Sequence, residues 1–187
     1  MSINSSKLII EISFKIGFSK SATSATETGA LAGSPTGAAT AGSATLAGTT
    51  VSGLKANLTT PGESVSYTFY VHNTGEYDAY VNFDDYANYH DLTSSGKTGT
   101  CTAAPGTTES LMNEACEHII EILYVNDTNG NEIRPADFEN YVLKKGEQLY
   151  LTLFVGYADS GHEAPRADGD FSVKFDDIKF DFSTAAK

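Results

Sequence analysis

Cationic side chains are scarce in this chain. Twelve Lys and Arg stand against 24 Asp and Glu, a formal net charge of −12. That shortage argues against nucleic acid, whose phosphates demand basic patches, and against anionic membrane surfaces. Long apolar runs are missing too. The apolar stretch nearest the start, LIIEISFKIGF at residues 8–18, is interrupted by Glu11 and Lys15 and alternates instead of running on as a signal h-region or a span, so no membrane insertion is expected. Cysteine is limited to Cys101 and Cys116, too few for a zinc site, and the four histidines lack finger spacing.

Catalytic signatures are equally thin. Gly96-Lys97-Thr98 ends like a phosphate-binding loop, but the glycine required five residues earlier is Asp91. No serine sits in a Gly-x-Ser-x-Gly elbow. His162-Glu163 lacks the second histidine of a zincin helix, and His118 with Glu121 falls on a strand-like segment. These absences predict a protein that is not an enzyme and uses no catalytic cofactor.

Strand period is what the chain has in abundance. At residues 8–18 every even position is large and apolar: Leu8, Ile10, Ile12, Phe14, Ile16 and Phe18. A period of two marks a strand with one buried face. Residues 19–50 follow, almost entirely Ala, Gly, Ser and Thr, and read as a tether, either a linker or an ordered extended arm. As a coil it would span about 30 Å, and fully extended about 100 Å. Beyond it, SVSYTFYVHNTG sets Val65, Tyr67, Phe69 and Val71 in phase. DAYVNFDDY does the same for Ala79, Val81 and Phe83, and GEQLYLTLFVGYA for Leu149, Leu151, Leu153, Val155 and Tyr157. HIIEILYV is a further strand, Pro135 opens a helical turn, and a short helix is expected near residues 108–116. In DFSVKFDDIKFDF the parity changes at Asp176-Asp177, as at a bulge or where a strand changes sheets. The fold expected is all-β, an antiparallel jelly roll or sandwich over residues 51–187, with residues 1–18 as an N-terminal extension strand and 19–50 as its tether.

Three features suggest sites. Cys101 and Cys116 are read first as a disulfide closing a loop of about 15 residues, worth about 3 kcal/mol in the chain-entropy account; two buried thiols or a redox pair are the alternatives. Asp127, Asn129, Asn131 and Glu132 alternate as in a calcium loop. Gly130 stands at the fourth position where an EF-hand needs it at the sixth, and no bidentate glutamate follows at the twelfth. An EF-hand is therefore excluded, and calcium at oxygen-rich turns, with Asp168 and Asp170 as further ligands, competes with plain solvated loop charges. Asn4, Asn57 and Asn126 begin glycosylation triplets, common by chance in a Ser/Thr-rich chain.

The segment SVSYTFYVHNTGEYDAYV after Pro61-Gly62-Glu63, then EHIIEILYVNDTNGNEI, LKKGEQLYLTLFVGYA and the closing FSVKFDDIKFDF, resembles the TasA/camelysin-like family of secreted β-sandwich proteins over residues 51–183. That resemblance implies jelly-roll subunits of extracellular fibres, pili or tubular cannulae, in which one subunit's N-terminal strand completes the next subunit's sheet, with calcium used by some members. The metalloprotease activity described for camelysin does not carry over, because its histidine motif is missing here. The expectation is a cell-surface or extracellular homopolymer joined through Leu8, Ile10, Ile12, Phe14, Ile16 and Phe18. Six such side chains at about 1.5–3 kcal/mol each would give about 9–18 kcal/mol before ordering costs. The rival expectation is a monomeric adhesin or carbohydrate-binding module whose first strand stays in its own sheet.

Overall fold

The computed structural model describes residues 16–20, 29–83, 86, 99–103, 118–138, 140–158, 171–175 and 177–183. Its spine is the pair of strands whose alternation is strongest. Val65, Tyr67, Phe69 and Val71 are fully buried along one side of β8 (Ser64–Asn73). Leu149, Leu151, Leu153 and Val155 do the same along β13 (Gln148–Tyr157). The two strands pair antiparallel from Gln148↔His72 to Gly156↔Ser64, setting Leu151 opposite Phe69 and Leu153 opposite Tyr67. Directly opposed residues share a sheet face, so this register brings the two apolar rows together. Strand β11 (Ile119–Asn126) extends the sheet beyond β13, and β1 (Ile16–Ser19) and β3 (Ser34–Thr36) both lie along the other edge of β8.

Three smaller antiparallel sheets complete the described fold. One runs β10 (Gly99–Ala103), β14 (Phe171–Phe175), β7 (Lys55–Leu58), β4 (Thr40–Ala41). A second runs β15 (Ile178–Lys179), β6 (Thr50–Ser52), β5 (Ala44–Ala47), β2 (Gly29–Leu31), and a third β12 (Tyr141–Leu143), β9 (Ala79–Asn82), β16 (Asp181–Ser183). Apolar residues from all four sheets meet in one core. Helix α1 (Pro135–Phe138) is a single turn that starts at proline, where the missing N–H costs nothing. It delivers Phe138 into an aromatic cluster, stacked on Tyr141 with centroids 5.5 Å apart and edge-on to Tyr86 at 5.3 Å and Phe180 at 6.0 Å. The fold is thus mostly β with antiparallel sheets and one short helix among the described residues, none of whose helices is long and apolar enough to cross a membrane.

Of the segment expected to be either a linker or an ordered extended arm, residues 29–50 supply β2, β3, β4 and β5 and the start of β6. Leu31, Ala39, Ala44 and Leu46 are buried in the common core. The physical reason is close approach. A Cβ on Gly33 would lie 2.5 Å from the Ala41 Cβ and 2.9 Å from the Tyr67 ring, and one on Gly42 would lie 2.7 Å from the Lys55 Cβ. Small residues that look like linker composition are here what lets the strands pack. The chain after residue 170 does change sheets where its parity changes: β14, β15 and β16 belong to three different sheets, with Ile178 and Phe180 buried.

Candidate strand-exchange edge and outer face of β8

Strand β1 pairs antiparallel with β8 of its own chain, Ile16↔Asn73, Gly17↔His72, Phe18↔Val71 and Ser19↔Tyr70. Ile16 and Phe18 are thus the register partners of Asn73 and Val71, both of which are buried. Strand β3 covers the opposite end of the same edge, Ser34↔Ser66 to Thr36↔Ser64. Asn73, the partner of Ile16, is the last residue of β8. Leu8, Ile10, Ile12 and Phe14 lie outside the described residues.

The end of β8 that meets β1 is built with care. Asn73 is buried; its side-chain amide donates to the carbonyls of Tyr77 and Leu143, both at 2.9 Å, and its Oδ1 accepts from the Gly75 N–H at 3.1 Å. Its backbone exchanges two bonds with the 144–147 turn, N–H to the Glu147 carbonyl at 3.0 Å and carbonyl from the Gly146 N–H at 2.8 Å. Gly146 has φ +80°, a left-handed conformation that favours glycine. Lys145 donates its backbone N–H to Asp78 at 2.8 Å and pairs with Glu76 at 2.6 Å. Being exposed, that ion pair contributes little to stability. The NTG and KKGE turns, about seventy residues apart in the chain, thus form one junction beside β1.

The start of β8 is anchored by a buried carboxylate absent from the expected site residues. Glu63 accepts from the N–H groups of Thr59 (2.6 Å), Thr60 (3.2 Å) and Ala38 (3.1 Å), and from both threonine hydroxyls. Burial by itself would raise its pKa, but the bonds from Thr59 and Thr60 outweigh that and hold the carboxyl below its ordinary value. Nearby, Tyr67 places its hydroxyl 2.6 Å from the Lys55 carbonyl and 2.9 Å from that of Gly42, tying β8 to the chain around β4 and β7. The clue in the sequence was an acid directly after Pro61-Gly62.

At the 126–133 loop, three hydrogen bonds converge on Asp127 among the expected calcium ligands. Asp127 Oδ1 accepts from the N–H of Asn129 and of Asn131, both at 2.8 Å, and Oδ2 accepts from the Asn131 side-chain amide at 3.0 Å. Asn131's side-chain and backbone bonds keep the Asp127 pKa low. Asn129 and Glu132 are exposed, and Glu132 bridges to Asn126. Among the described residues no three His, Cys, Asp or Glu side chains group as a metal site. Asp168 and Asp170 lie outside the described residues, as do Cys116, Asn4 and residues 108–116; Cys101 falls on β10, opposite Val173. Asn57 donates its side-chain amide to Thr40 at 2.9 Å and Asn126 donates its own to the Gly130 carbonyl at 3.3 Å.

On the outer face of the same sheet, Tyr70, Tyr150 and Asn126 are cross-strand neighbours on β8, β13 and β11. With Gln148 and Asp127 they line an open groove of about 470 Å³. Compared with protein-family models, curated proteins and solved structures, the chain matches none. The functional reading accordingly rests on residues and geometry.

Proposed function

We propose that this chain is a jelly-roll structural subunit of an extracellular filament, pilus or tube, polymerising with copies of itself head to tail by donor-strand complementation. The observation that carries the proposal is the place of β1. Among the described residues it is the end strand of the sheet, it pairs with the last four residues of β8, and it belongs to a longer alternating stretch of sequence. A peripheral strand of this kind can leave its own sheet and make the same contacts in a neighbour, which is the low-cost route to swapped assemblies. Main-chain bonds supply affinity, and alternate side chains supply register. Donor and acceptor are different surfaces of one subunit, so the contact propagates instead of closing as a dimer.

A second reading, a monomeric cell-surface adhesin, is favoured by the same pairing if β1 stays in its own chain. The pair Gly17 and His72 separates the two. Cysteines placed at directly opposed strand positions are within disulfide reach. In the double variant Gly17→Cys/His72→Cys, oxidised at assembly concentration, strand exchange gives covalent ladders on a non-reducing gel and filaments by electron microscopy. A crosslink confined to single chains, with single particles in the images, would sink the polymer reading.

A further inference from the structure

The outer groove joins two kinds of chemistry. Tyr70 is held between His72, centroids 5.9 Å apart, and Tyr150, at 5.1 Å with the rings tilted by 51°. Tyr150 remains 37% exposed. Around this aromatic pair stand the amides of Gln148 and Asn126 and the carboxylate of Asp127. The polar groups on the loop are fixed before any ligand arrives. Asp127 is clamped by three bonds from Asn129 and Asn131, yet Oδ2 accepts only one of them. Asn126 is tied to the Gly130 carbonyl, leaving its own carbonyl oxygen outside that bond. Groups held in place in this way lose little freedom on binding.

We infer that this groove binds a neutral oligosaccharide. A pyranose ring has apolar C–H faces that suit the face of a tyrosine, and a rim of hydroxyls that suits amides and a carboxylate, which donate and accept in fixed planes. The volume lies within the range of small-ligand sites, about 300–1,000 Å³. No Lys or Arg is among the described residues lining the groove, and the chain carries a net charge of −12, so acidic sugars and phosphates are disfavoured. A flat contact with a second copy would not need the recess or the fixed polar rim. The site stands independently of whether the chain polymerises.

The test is calorimetric titration of the whole chain with neutral hexasaccharides of glucose (both linkages), xylose, mannose and N-acetylglucosamine. At least one should bind with a Kd between about 10 μM and 1 mM. Tyr150→Ala and Gln148→Ala should each weaken it about tenfold or more while keeping the thermal melt. Tyr77→Ala, which removes an exposed tyrosine that does not line the groove, should leave binding unchanged. Should Tyr150→Ala unfold, Gln148→Ala decides. The inference is overturned if none of the sugars binds at about 10 mM, if binding survives both groove substitutions, or if Tyr150→Ala alters only self-association.

Discussion

The carboxylate of Glu63 accepts a hydrogen bond from the backbone N–H of Ala38 at 3.1 Å, joining the turn ahead of β8 to the turn between β3 and β4. A segment that reads as spacer is therefore fastened to the sheet by a buried charge. Replacing Glu63 by Ala strips the acceptor from three backbone N–H groups and should cost about 2–4 kcal/mol in a denaturant titration.

The same group sets an acid limit. Its folded pKa lies below the ordinary 4.5. As pH falls below 4.5 the unfolded chain takes up the proton first, so stability that is full above 4.5 is lost as pH drops through the folded value. Melting curves between pH 6 and pH 3 should show this decline in the native chain and a flatter one in Glu63→Gln. Parallel declines would contradict the assignment.

Tyr67→Phe leaves the ring in the core but takes away the hydroxyl between the Lys55 and Gly42 carbonyls. The expected loss is about 1–3 kcal/mol, seen as a lower urea midpoint at constant slope. The Gly42 N–H to Lys55 carbonyl bond, 2.7 Å, should persist in hydrogen exchange.

Gly33→Ala should destabilise by about 1–3 kcal/mol, because the added methyl meets the Ala41 Cβ and the Tyr67 ring. Pairing it with Ala41→Gly should recover part of the loss, a coupling between neighbours that a flexible tether could not show. Ala30→Ser, at an exposed position of β2, should change stability by no more than about 0.5 kcal/mol.

Removing residues 1–20 takes away β1 and, under the proposed function, the donor. Sedimentation should then find a soluble monomer at concentrations where the full chain forms filaments. Normal polymerisation of the truncated chain would refute strand exchange.

Much of this architecture is legible in the sequence wherever one face of a strand is apolar and the other polar. Val65 to Val71 and Leu149 to Val155 are such cases, and both rows are buried as their period requires. Where contrast fades, so does the reading. In HIIEILYV apolar residues occupy both parities. The structure buries Ile119, Leu123 and Val125 with Glu121 in the same row, and turns Ile120, Ile122 and Tyr124 toward the other face. Residues 29–50 carry almost no hydrophobic contrast; their strands exist because partner strands and the space at Gly33 and Gly42 accept them, which is tertiary information.

The sites follow the same division. Alternating oxygens from Asp127 to Glu132 suit a cation loop and an Asx-type turn equally well, and the bonds from Asn129 and Asn131 to Asp127 could not be read from that pattern. The meeting of Asn73 with Gly146 depends on β8 and β13 lying side by side, and the Tyr70–Tyr150 pair on their register. For the alternating stretch, two of the six expected donor positions, 16 and 18, are in the described strand, as register partners of Asn73 and Val71.

The register between β8 and β13 also has a mechanical meaning. If load enters a subunit through β1, it reaches β8 along the strand axis and must pass to β13 across nine opposed pairs, from Gln148↔His72 to Gly156↔Ser64. Pulled in that direction the ladder is sheared, so its bonds resist together instead of opening one after another. The strands that make the core would then be those that set a fibre's breaking force.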